Sequence, residues 1–436
     1  MTGNSLDRHM PLYAQRTAGM RASAVRSLFA VANRPEVVSL AGGMPYLQSL
    51  PLESLAAEAA QLVSEDGLVA LQYGSGQGIA ALREQICQVM ALEGISAHPD
   101  DVTVTIGSQM ALDLVTRVFC DPGDVILCEA PSYVGALTTF ASYQANVVHI
   151  EMDEDGLIPA AVSAAIFTCR EAGKRIKFLY TIPNFHNPAG VTMSDSRRLE
   201  LAGICREAGI PILEDNPYGL LGFDDKIRRA IRADDADNVI YLGSFSKTFA
   251  PGLRVGWVLA PHAVREKLVL ANESATLNPP VFNQMIVSRY LANFDWQSQV
   301  KAYRHTYAER CDAMISALET HMPAGTTWTK PEGGFFVWVT LPEGFDTAAM
   351  LPRAVTAQVA YVPGTAFYAD GLGSRQMRLS FCFPTPERIV EGIRRLASVL
   401  ESELDVMRTF GVYGHGAAAP AHRAIRGPSS PAPDIY

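Results

Sequence analysis

Short apolar, β-branched runs recur along the first part of the chain, at 102–106, 125–128, 147–150, 176–182, 212–213, 239–242 and 255–259. Between most of them apolar residues return every three or four positions, as at 111–119 and 196–208. The first pattern predicts buried strands and the second predicts helices packed by one face. Strands and helices alternate, so the reading is an α/β fold with a seven-stranded, mostly parallel sheet. From about 296 the order changes. A long helical stretch leads into apolar runs at 326–329, 334–340, 360–362 and 377–382, then a helix over 387–400. That predicts a smaller α+β domain. The glycine-rich segment 74–78 lacks dinucleotide-binding spacing, because Ile79 stands where the last glycine belongs. It predicts only a turn before a helix over 79–90.

Composition narrows the class. The chain has 436 residues, 48% of them hydrophobic, enough for a large core. A net charge of −9 argues against a nucleic-acid surface. Seven cysteines are scattered without CxxC pairs, which predicts free thiols in a reducing compartment. The first twenty residues carry no signal-peptide core, and no run is long and apolar enough to span a bilayer. The expectation is a cytoplasmic protein with no membrane, nucleic-acid or metal partner.

Candidate chemistry centres on GSFSKTFAPGLRVGW, 243–257. Lys247 lies just past a predicted strand end, among Ser244, Ser246 and Thr248, with Arg254 seven residues on. Hydroxyls and an arginine beside a strand end suggest a phosphate site. The lysine then either holds that phosphate, attacks a carbonyl, or is a solvated loop charge. A Walker A loop is excluded, because Ser246 precedes Lys247 where glycine is required. Four other segments bear on it. At 102–115 a strand runs through Gly107 into a helix, so the N–H groups of Ser108 and Gln109 form an anion site, or Ser108 simply caps the helix. Asn187 and Pro188 mark a turn after a strand. Asp215 and Tyr218 follow another strand, where a buried carboxylate needs a cation or becomes protonated. Arg378 lies within an apolar strand, either partly exposed or as a carboxylate clamp.

In their order and spacing these segments resemble the class I aminotransferases of fold type I, which depend on pyridoxal 5′-phosphate. The resemblance rests on Tyr73, GSQ at 107–109, Tyr133, NPAG at 187–190, DNPY at 215–218, SFSKTFAPGLRVG at 244–256 and Arg378, and covers about 21 to 402. The stretches at 21–45, 72–78 and 240–257 look like the branch of 2-aminoadipate and kynurenine aminotransferases. The chain then divides into an arm with part of the small domain (1–60), a large cofactor-binding domain (61–300) and a small domain (301–408). A Gly/Ala/Pro-rich tail, 409–436, is expected to be disordered.

The resemblance also implies roles. Lys247 binds the cofactor aldehyde and then shuttles a proton, and Asp215 holds the ring nitrogen protonated. Asn187 and Tyr218 reach the ring oxygen, and Tyr133 stacks on the ring face. Ser108, Gln109, Ser244, Ser246 and Arg254 hold the phosphate. Tyr73 reaches the phosphate of a neighbouring subunit, which implies a homodimer with shared sites. Arg378, Asn187 and Gly43 bind substrate, and Arg26 meets a distal carboxylate. The implied reaction moves the amino group of an L-amino acid (2-aminoadipate, glutamate, aromatic or branched-chain) to a 2-oxo acid, 2-oxoglutarate. The alternative is a β-lyase or decarboxylase on the same fold. The sequence departs from the family's usual pattern at Tyr46, Leu47 and Gln48, at His186, and at Asn216-Pro217.

Overall fold

The structure, a computed structural model, describes residues 7, 9–19, 34–226 and 228–410. Arg26 and the segment 411–436, both subjects of expectations above, lie outside the described residues. A two-residue strand, β1 (Val38–Ser39), comes first. The chain then builds its large sheet from β2 (Val102–Thr105), β3 (Val125–Ala130), β4 (Asn146–Asp153), β5 (Gly156–Leu157), β6 (Ile176–Thr181), β7 (Ile212–Asp215), β8 (Val239–Ser244) and β9 (Gly256–Leu259). The spatial order is β2-β9-β8-β7-β6-β3-β4-β5. All seven expected strands are present. The eighth, β5, is a short antiparallel edge that the apolar pattern did not reveal.

The pairs β4–β3, β3–β6, β6–β7 and β7–β8 are parallel, and only β9 and β5 run against their neighbours. Strand residues alternate between two apolar layers. Val125, Leu127, Leu179, Ile212 and Val239 pack on one side, with helices Pro159–Glu171 and Asp195–Glu207. Ile126, Cys128, Phe178, Tyr180 and Leu213 pack on the other, with helices Ala80–Ala91 and Ser108–Phe119. Both faces are covered, which is why these strands read as continuous apolar runs. Parallel order brings the carboxyl ends of β2, β3, β6, β7 and β8 to one edge, where α/β sheets bind ligands.

The last third of the described chain adds β10 (Thr327–Trp328), β11 (Phe336–Thr340), β12 (Val359–Ala360), β13 (Val362–Pro363) and β14 (Gln376–Ser380). Four of them form an antiparallel sheet in the order β10-β11-β14-β13. Helices Trp296–His321 and Pro386–Thr409 pack together through Cys311, Met314, Leu318, Ile389, Ile393 and Leu396. The run at 360–362, read as one strand, is two. Ala360 pairs in parallel with β1, whereas Val362 pairs with Arg378 in the other sheet. Tyr361 sits at the switch, its hydroxyl donating to the Thr347 carbonyl at 2.6 Å. The final helix also runs past 400 to Thr409, because Leu400 and Leu404 still have a core to enter. Among the described residues no helix is long and apolar enough to cross a membrane.

Candidate active site

The strand ends surround a cavity of about 530 Å³. Its walls include Gly43, Ser108, Gln109, Tyr133, Asn187 and Asp215, and also Tyr218, Ser244, Ser246, Lys247, Phe336 and Arg378. Eleven of the fourteen site residues expected from sequence line it. Tyr73 is 78% exposed and outside the cavity of its own chain. Arg26 lies outside the described residues.

The anion end is built from backbone. Gly107 caps the helix Ser108–Phe119 with φ at 73° and supplies no side chain, so Ser108 is the first helical residue rather than the cap. The amides of Ser108 and Gln109 have no intrahelical acceptor and leave a positive helix end. A Cβ on Gly107 would lie 2.6 Å from Arg254 Nη2, and one on Gly256 would lie 2.7 Å from the Ser108 nitrogen. These two glycines let Arg254 and β9 close on the helix start. Arg254 does not line the cavity wall. It is exposed, in the left-handed region at φ 53°, and donates to the Ile106 carbonyl at 3.3 Å. The Ser244 hydroxyl donates to Ser246 Oγ at 2.8 Å and accepts from the Ser246 amide at 3.0 Å. Gln109 uses its side chain elsewhere, donating to Thr139 Oγ1 at 2.8 Å, so only its amide remains for an anion.

Lys247 follows β8 on the turn that these serines brace. Its Nζ donates to the Gly43 carbonyl at 2.8 Å. Burial lowers its pKa to about 8, and the charges of Arg378 and Arg254 add to the fall. At neutral pH about one amine in ten is then neutral, against about one in three thousand for a free lysine.

Asp215 ends β7 and is fully enclosed. Oδ2 accepts from the Tyr180 hydroxyl at 2.9 Å, while Oδ1 is buried without a partner. Desolvation lifts its pKa to about 7; the Tyr180 bond opposes the rise and the nearby Glu129 charge adds to it. A buried carboxylate with one bare oxygen is matched to a cation or an N–H. Burial also pushes the Tyr133 and Tyr218 phenols up, keeping them as hydroxyl donors.

Arg378, open in the sequence between exposed strand residue and clamp, is 3% exposed. It donates to Asn187 Oδ1 and to the Ala41 carbonyl, both at 2.7 Å, and its Nε is buried without a partner. Phe336 and Phe367 flank its guanidinium, with ring centroids at 4.1 and 5.1 Å. With Oδ1 committed to Arg378, the Asn187 amide nitrogen is the atom left for a ligand.

Sequence reasoning passed over Tyr180, Glu129 and the use of His186. Glu129 ends β3, accepting from the Thr181 hydroxyl at 2.6 Å and the Ile182 amide at 2.9 Å. A lone carboxylate in the apolar run VILCEA was the available signal, since such a group requires partners. A larger cleft, about 930 Å³, lies between the β4–β5 hairpin and the small sheet. It mixes Asp153, Glu154 and Asp155 with Lys226 and Lys330 and holds no converging nucleophile.

The donor set fits a flat ligand with an anionic end at the helix start, a carbonyl near Lys247 and a protonated ring nitrogen at Asp215. A carboxylate fits at Arg378. Comparison with known proteins gives the same direction. The family model described as aminotransferase class I and II matches residues 35–396. An aromatic-amino-acid aminotransferase 1 of Thermococcus litoralis is 41% identical over 395 residues, 90% of this chain and 94% of the relative. A 2-aminoadipate transaminase of Thermus thermophilus is 37% identical, over 88% of this chain and 95% of the relative. The crystal structure of Pyrococcus horikoshii kynurenine aminotransferase superposes with a TM-score of 0.87 at 39% identity, covering 92% of this chain and 99% of that one.

Proposed function

Because the chain belongs to the class I and II aminotransferases, we propose that it uses pyridoxal 5′-phosphate to move an amino group from an uncharged, aromatic or branched L-amino acid to 2-oxoglutarate. The observation that carries the reading is the pairing of a buried, easily deprotonated Lys247 with the bare Oδ1 of Asp215 in one cavity. When bound, the cofactor supplies a protonated pyridine ring that draws electron density from the substrate α-carbon.

The protein's own groups do the rest. The amides of Ser108 and Gln109, the hydroxyls of Ser244 and Ser246, and Arg254 hold the phosphate. Asp215 Oδ1 would accept from the ring nitrogen and keep its proton in place, with Tyr180 fixing the carboxylate's orientation. Tyr133 would pack against the ring, and Asn187 and Tyr218 would donate to the ring oxygen. Arg378 turns its remaining donors to the α-carboxylate. The Lys247 amine would move a proton to and from the substrate α-carbon. Gly43 keeps substrate space open, since a Cβ there would lie 2.9 Å from the Phe336 ring.

Among the described residues the cavity has no charged group beyond Lys247, Asp215 and Arg378, and Met44, Val134 and Phe336 line the rest. That supports uncharged side chains on the donor. A dicarboxylic donor or acceptor then depends on Arg26. The aromatic and kynurenine names of two relatives support the same preference, whereas the 2-aminoadipate relative is named for a dicarboxylic donor. We further propose a cytoplasmic homodimer. Tyr73 is exposed and outside its own cavity, near exposed Leu68, Val69 and Leu71 in sequence, an apolar patch suited to a second copy, and all seven cysteines are free.

The test is a screen of L-amino acids with 2-oxoglutarate, following glutamate formation. Phenylalanine, kynurenine and leucine should react, and Lys247→Ala should fold yet transfer nothing. Keto-acid-independent release of ammonia, or of carbon dioxide, would replace this reading with a lyase or decarboxylase.

A further inference from the structure

His186 stands one residue before Asn187 and is fully buried. It makes three hydrogen bonds within one turn and one close polar contact outside it. Its amide donates to the Val191 carbonyl at 2.8 Å, and its carbonyl accepts from Gly190 at 2.6 Å. Nδ1 lies 3.1 Å from the Ala189 amide, and Nε2 lies 2.9 Å from Glu129 Oε2. The Ala189 amide can only donate, so Nδ1 is bare and the ring proton sits on Nε2, which lies against the Glu129 carboxylate but out of line for a hydrogen bond. The three hydrogen bonds close the 186–191 turn on itself. The Nε2 contact reaches out of the turn to β3. Glu129 in turn grips the Thr181 hydroxyl and the Ile182 amide, where β6 enters the same loop. The loop that presents Asn187 is thus tied at both ends to one buried carboxylate.

We propose that His186 is a positioning residue. Its buried Nε2 contact with Glu129 sets where Asn187 stands, and so sets the donor that the Asn187 amide offers to the cofactor's ring oxygen. This rests on the cofactor reading above. Neither His186 nor Glu129 lines the cavity, so the effect passes through Asn187. The remaining freedom of Asn187 is small, because Arg378 already holds its Oδ1 from the opposite domain at 2.7 Å. A turn untethered from β3 would follow Arg378 instead.

Two amides separate the tether from the turn. In His186→Asn the shorter side chain accepts from Ala189 but falls short of Glu129. In His186→Gln the longer one reaches Glu129 and restores the contact. The readout is a pH titration of the visible absorbance of the cofactor bound to each purified protein, with melting temperatures to establish folding. A donor at the ring oxygen favours the deprotonated form, so weakening it raises the apparent pKa. The expected shift in His186→Asn is upward by about one pH unit, the size of one hydrogen bond, with His186→Gln returning to the wild-type value. If His186→Asn does not fold, His186→Ser carries the same comparison. Wild-type titration in His186→Asn, or an equal shift in His186→Gln, would overturn the proposal. A wild-type protein with no cofactor absorbance at all would instead overturn the cofactor reading.

Discussion

Asp215→Asn should stabilise the cofactor-free protein, increasingly so as pH rises. In the native fold Asp215 is wholly buried with Oδ1 unpartnered, and desolvation lifts its pKa from 3.8 to about 7. The native state therefore holds this proton to higher pH than the unfolded chain does. Stability contributed by the protonated form is present below about pH 4 and is lost as pH rises to about 7. Integrated, the buried charge costs about 2 kcal/mol at pH 5.5 and about 4 kcal/mol at pH 8. Asparagine carries no such charge, and its carbonyl still accepts from Tyr180. The assay is urea unfolding of both cofactor-stripped proteins at the two pH values and one protein concentration. The gap in favour of Asp215→Asn should widen by about 2 kcal/mol between them. Adding cofactor should reverse it, because the ring nitrogen supplies the missing partner to aspartate alone. A gap that does not change with pH would refute the reasoning.

Arg378→Ala should lower kcat/KM for glutamate and leucine alike, by on the order of 2–5 kcal/mol of transition-state binding, since every donor presents an α-carboxylate. Arg26→Ala should impair glutamate and spare leucine in the same assay; equal losses would make Arg26 structural. Mixing inactive Lys247→Ala with Tyr73→Ala should yield more activity than either alone, because one site of the mixed dimer then has both residues intact. Activity that does not rise on mixing would mean Tyr73 does not act across subunits.

Strands were legible because each is apolar on both faces, and the motif residues because they sit directly at strand ends. Lys247, Asp215 and Asn187 each follow an apolar run by a residue or a few. Arg378 was not decidable, since an arginine within a strand reads the same whether its partner is water or Asn187, 191 residues away. Glu129, Tyr180 and His186 escaped for a related reason. Their meaning lies in pairings such as Glu129 with Thr181, 52 residues on, and Tyr180 with Asp215, 35 residues on. Neighbouring parallel strands make those pairings, and no local pattern encodes them. The two-strand split at Tyr361 was hidden because two residues are too few to show a period. His186 stood out only as a departure from the family's pattern, which says that a position differs but not what it touches.

The pairing of β1 with β12 has a consequence for how the enzyme comes into being. The segment from Val38 to Gly43 supplies the carbonyl that holds Lys247 and the one that holds Arg378, yet its strand partner is Ala360 and its arginine lies 337 residues downstream. A ribosome adding roughly 5–20 residues per second needs on the order of 20 to 70 s to cover that interval. Once β9 has been made the large sheet has all its strands and Lys247 is present, while the start of the chain has nowhere to dock until β12 and β14 follow. A nascent chain can therefore fold its sheet early but cannot complete its catalytic centre. Cofactor capture becomes a post-translational event, timed by the last strand to leave the ribosome.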